Sequence, residues 1–120
     1  MTMLELRAAC GFRMTQEVYR AIYRATEDIG AVEYAAGRRE YLATHKTMTR
    51  YRHNASILHR MLCELMTCDG LDAYAAAQAV ESIIRIVGGS TGQESRDVAR
   101  TLAARLYAIA AETARPVAGR

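Results

Sequence analysis

The sequence predicts an all-α protein, a single-domain helical bundle of about five helices. Three observations lead there. Helix-favouring residues dominate, with 22 alanines, and the single proline, Pro116, stands near the end. Apolar residues recur at intervals of three and four through most of the chain, and no stretch keeps the alternation of a strand. The 120 residues, 51% of them hydrophobic, suffice for one core. Residues 1–114 are expected to form that domain, with 115–120 a frayed tail.

Thr2-x-x-Glu5 has the spacing of a capping box, which predicts a short helix over about 3–10, ended by Gly11. Thr15 is the next candidate N-cap, with Glu17 near the positive end of the dipole. Val18, Ile22, Ala25, Ile29, Val32 and Ala36 then form the seam of a long amphipathic helix. Gly30 and Gly37 weaken it by about 1 kcal/mol each relative to Ala, and they also admit a close neighbour.

A second seam follows at Met48, Tyr51, Ala55, Leu58, Leu62 and Leu65. It is out of phase with the first, because Arg39, Lys46 and Arg50 stand where the first seam calls for apolar residues. The slip predicts a turn over 44–47, capped by Thr44 or Thr47, between two long antiparallel helices. The other reading is one helix of roughly fifty residues with a phase shift, as in an elongated dimer.

Cys68-Asp-Gly-Leu marks the next turn, with Gly70 suited to a left-handed position. From Asp72 to Val87, a helix should bury Ala76, Val80, Ile83, Ile84 and Val87, with Glu81 and Arg85 paired on its outside. Gly88–Gly92 reads as a loop. Thr91-x-x-Glu94 is a second capping box, opening a last helix to about 113 with Val98, Leu102, Leu106 and Ile109 inward.

Charge carries the functional signal. Between Arg38 and Arg60 lie six cations, all three histidines and one acid, Glu40; elsewhere ten cations face twelve acids. The overall charge of +3 therefore hides a local excess of five. On the second long helix, Lys46, Arg50, His53 and Arg60 would share roughly 80° of arc opposite the seam. The expected partner-binding residues are Arg38, Arg39, Tyr41, Lys46, Arg50, Tyr51, Arg52, His53 and Arg60. An acidic patch on a partner protein is the favoured ligand, since the negative remainder of the chain would repel a long nucleic-acid track. The protein would then be an adaptor, inhibitor or accessory factor, of the type phages and mobile elements encode. The alternative is DNA or RNA held through phosphates without sequence readout.

No catalytic residues are expected, and a small helical enzyme is only the third reading: the acids are scattered and no nucleophile elbow or paired-carboxylate pattern stands out. His59-x-x-x-Cys63 sets two metal ligands one turn apart, but no third completes a set, so no metal or other cofactor is expected. Cys10 and Cys63 read as small core residues. The Gly-rich loop lacks the lysine and preceding strand of a nucleotide loop. Three sparse cysteines, no signal peptide and no apolar run long enough for a membrane predict a cytoplasmic protein. Tyr19, Tyr23, Tyr34 and Tyr41 sit on the shoulders of the first seam, which favours a homo-oligomer, a dimer in the simplest case.

Overall fold

A computed structural model describes residues 12–48, 50–68 and 70–114. They form α1 (Phe12–His45), α2 (Ile57–Leu65), α3 (Ala73–Val87), a short 3-10 turn (Gly88–Ser90) and α4 (Gln93–Ala114). Among the described residues there is no strand, so the all-α class holds, with four α-helices. The expected first helix, Cys10 and the C-terminal tail lie outside the described residues.

α4 packs against both α1 and α3, and α2 bridges α3 back to α1, so the four helices close a ring around one core. Its largest fully buried side chains include Ile22 and Ile29 of α1, Leu58 and Leu62 of α2, and Leu106 and Ile109 of α4. Alanines at 73, 76 and 77 of α3 and at 99 and 103 of α4 are buried in the core. Small side chains at such positions allow helix backbones to approach closely. The sequence pattern missed most of these, because alanine at every face of a helix leaves no period to read.

α1 begins earlier than expected, so Thr15 lies inside it and is not its cap. Its seam is buried only through Ile29: Val18, Ile22, Ala25 and Ile29 are 6% exposed or less, while Val32 is half-buried and Ala36 exposed. From Gly30 to His45 no residue of α1 is buried. The last sixteen residues, roughly 24 Å of helix, thus extend past the core as an arm.

The expected second long helix is corrected. The described residues from 46 to 56 are outside any helix, and α2 has nine residues. α1 stops at the expected turn, where Lys46 adopts φ 61 and the Thr47 amide donates back to the His45 carbonyl at 2.7 Å. Thr47 and Asn54 are weak helix formers. Ser56 then starts α2, its hydroxyl accepting from the His59 amide at 3.1 Å. A Ser cap of this kind is worth about 1 kcal/mol. Hence only Leu58 and Leu62 of the second seam are buried. The single fifty-residue helix is likewise ruled out.

Gly70 takes the left-handed conformation, φ 68, and Asp72 caps α3 through its carboxylate on the Ala75 amide at 2.7 Å. Two local expectations fail. Glu81 does not pair with Arg85; its carboxylate accepts from the Tyr107 hydroxyl of α4 at 3.0 Å, and Arg85 donates to Ser82 at 3.2 Å. Nor does Thr91 form a capping box. Its hydroxyl donates back to the Val87 carbonyl at 3.0 Å, and the Gly92 carbonyl accepts the first α4 bond from Arg96. The Val87 carbonyl also accepts from the Ser90 hydroxyl at 3.0 Å, so both hydroxyls serve the end of α3.

Candidate partner-binding surface

After Lys46 the chain doubles back along the arm. The contacts of Tyr51 and His53 show the direction. The Tyr51 ring lies 5.8 Å from that of Tyr41 and 5.3 Å, edge-on, from that of Tyr34. His53 sits 6.3 Å from Tyr34, and His59 follows at 6.4 Å from His53. The return segment therefore runs antiparallel to α1, from its end towards its middle. Gly37 makes this possible, because a β-carbon there would overlap the Tyr51 hydroxyl. The glycine that weakens the helix is thus the floor on which the return segment rests, and the close neighbour is a tyrosine instead of a helix.

At the root of the arm stands Glu33, its side chain 14% exposed. One carboxylate oxygen accepts from the Ser56 amide at 3.1 Å, the other from the Ser95 hydroxyl at 3.4 Å. The carboxylate so joins α1 to the starts of α2 and α4, where helix dipoles favour negative charge. His53 Nε2 lies 3.4 Å from the same carboxylate but is misaligned for a hydrogen bond. A cleft of about 480 Å³ opens beside this junction, lined by Val32, Arg39 and Asn54 on the arm side and by Ser90–Ser95 opposite.

The cations fall on different elements. Arg38 and Arg39 belong to α1, Lys46 to the turn, Arg50 and Arg52 to the return segment, and Arg60 to α2. The single helical stripe is therefore not formed, since Lys46, Arg50 and His53 are not helical. All six cations are exposed, and none makes an ion pair with a described carboxylate. His53 and Tyr51 differ from them, both half-buried against α1. Tyr41 stacks on His45 at 4.0 Å with planes 7° apart, and the Thr44 hydroxyl lies 2.6 Å from His45 Nδ1. Exposed guanidinium and ammonium groups thus stand on the arm, the turn, the return segment and α2, and the end of the arm carries a stacked aromatic pair.

Sequence reasoning missed Glu33, Ser56, Ser95 and the role of Gly37. Ser56, just before Ile57 and Leu58, was open to recognition as a cap. Glu33 carried no signal, because its partners lie 23 and 62 residues away. His59 and Cys63 pair as their spacing suggests, Sγ to Nδ1 3.8 Å, with Cys63 half-buried and Cys68 exposed. Among the described residues no three His, Cys, Asp or Glu side chains gather as a metal site, and no helix is long and apolar enough to cross a membrane. Comparison with family models, curated proteins and solved structures finds no match.

Proposed function

We propose that this chain is a non-enzymatic regulatory or adaptor protein whose basic arm docks an acidic surface of a partner protein. One observation carries the reading: six exposed cations, free of described carboxylates, lie on and beside an arm that buries nothing in the protein's own core. A helix extended past its core exposes side chains that an outside partner can use. Arginine with tyrosine suits such an interface, because guanidinium groups grip carboxylates in pairs while the rings supply contact area at low entropic cost.

A second reading is nonspecific binding of single-stranded nucleic acid, favoured by the Tyr41–His45 stack among cations, which has the form of a base-stacking platform. One experiment separates the two. Wild type and the Arg50→Glu/Arg52→Glu variant are immobilised, exposed to nuclease-treated extract of the native host, and titrated with random oligonucleotides across salt. A protein retained by wild type and lost by the variant supports docking to an acidic partner. Oligonucleotide binding that falls steeply with salt and vanishes in the variant supports the second reading. Equal binding by both proteins overturns both, provided their helical content and melting midpoints agree.

A further inference from the structure

Glu33 stands at the root of the arm with little to offset its charge. Its oxygens accept from the Ser56 amide at 3.1 Å and the Ser95 hydroxyl at 3.4 Å, the acceptor-only pattern of an ionised carboxylate. Among the described residues no lysine or arginine forms an ion pair with it. The group placed to balance it is His53, whose Nε2 lies 3.4 Å from the oxygen that Ser56 also uses. That nitrogen is shielded from solvent and has no hydrogen-bond partner. A neutral ring gains nothing there. With its hydrogen on Nδ1, the Nε2 lone pair faces a carboxylate oxygen; with its hydrogen on Nε2, the N–H is misaligned and cut off from water. Either arrangement leaves a buried polar atom unsatisfied, at a cost in free energy. Protonation removes the conflict, because charge attraction at this distance does not require hydrogen-bond alignment.

The other groups around His53 set how many protons the site takes. On α1, beside Glu33, the Tyr34 ring stands edge-on at 6.3 Å. On α2, the His59 ring stands edge-on at 6.4 Å, with its Nδ1 3.8 Å from Cys63 Sγ. On α4, Ser95 reaches the site through Glu33, and Glu94 lines the adjoining cleft together with Arg39 of the arm. A charge on His59 would repel one on His53, so one proton fits here and two do not.

We infer that a proton on His53, held against Glu33, clamps the return segment to the root of the arm, and that the segment loosens when this proton is lost. His53 belongs to the return segment and Glu33 to α1, so their attraction joins the two directly. Arg50 and Arg52 stand on the same segment, so the clamp also fixes where two of the six cations lie. The inference does not depend on what the arm binds. Its sign follows from linkage: the clamped segment binds the proton more tightly than the released one. Clamping is therefore strongest at acidic pH and weakens as pH rises through the interval in which histidine gives up its charge.

The Ser56 amide reports the clamp, because it donates to Glu33 and meets solvent once the segment leaves. Its hydrogen exchange is followed by NMR from about pH 5 to about pH 8, each rate being divided into the intrinsic rate at that pH. In the wild type the protection factor should fall at least about fivefold over this range. In His53→Gln it should stay level within about twofold, whereas His59→Gln should keep at least the wild-type fall. Should His53→Gln fail to fold, Glu33→Gln takes its place: it leaves Ser56 an acceptor, removes the charge that His53 faces, and should also be level. A wild-type protection factor that does not fall overturns the inference, as does an equal fall in the His53 or Glu33 variant. A fall that disappears in His59→Gln places the proton on the other ring and overturns it too.

Discussion

Glu33 accepts hydrogen bonds from two segments remote in sequence, and with His53 nearby it holds the base of the arm. Removing the carboxylate leaves the Ser56 amide and the Ser95 hydroxyl without their acceptor, and Ser95 is almost fully buried, at 2% exposed. Glu33→Ala should therefore lower unfolding free energy by about 2 kcal/mol in urea denaturation. Glu33→Gln keeps a carbonyl oxygen for Ser56 and should lose less. An alanine variant as stable as wild type would show that the junction does not hold the arm. His53, expected from sequence at the partner surface, has its ring half-buried beside Glu33, Tyr34 and His59.

At the scale of elements, the instructive case is the stretch from Lys46 to Ser56. Its apolar spacing continues that of α2, so periodicity alone favoured a helix. Lys46 in the left-handed region breaks α1, Ser56 caps a later start, and Tyr51 lies against Gly37. A lysine at φ 61 carries strain of about 1–2 kcal/mol that glycine does not. Lys46→Gly should thus raise stability, by about 0.5–1 kcal/mol after the larger entropy of the unfolded glycine is counted. Chemical denaturation checks it, and a less stable variant would show that the lysine side chain has a stabilising contact of its own. The turn itself was legible, because the phase slip between the two seams falls there. The length of the helix after it was not.

Across the whole molecule, cross-helix polar contacts make stability depend on pH. The Tyr107 hydroxyl of α4 donates to Glu81 of α3. Partial desolvation of the phenol, then the adjacent Glu81 carboxylate and, more weakly, Tyr74, raise its pKa above the usual 10.0. A neutral tyrosine is thus favoured in the folded state, and the folded chain holds its proton to higher pH than the unfolded one. This contribution is complete below the ordinary tyrosine range and is lost as pH climbs through the raised value. Glu81→Gln removes the neighbouring charge, so tyrosinate formation, followed by ultraviolet difference titration, should shift back towards lower pH. Its alkaline loss of stability should shrink accordingly. An unchanged titration would mean that Glu81 does not set it.

The chain's own order of residues determined the helical class, the break near residue 45, the Gly70 turn, the inward faces of α3 and α4, and the local excess of positive charge. Each of these rests on neighbours within one or two helical turns, where spacing and propensity act directly. Only the tertiary structure decided where the arm begins and on which elements the cations stand. It also decided that Glu33 joins three helices. Those outcomes depend on contacts between segments tens of residues apart. Which of the competing local fits prevails is settled there by close packing around glycine and alanine and by the pairing of buried polar groups.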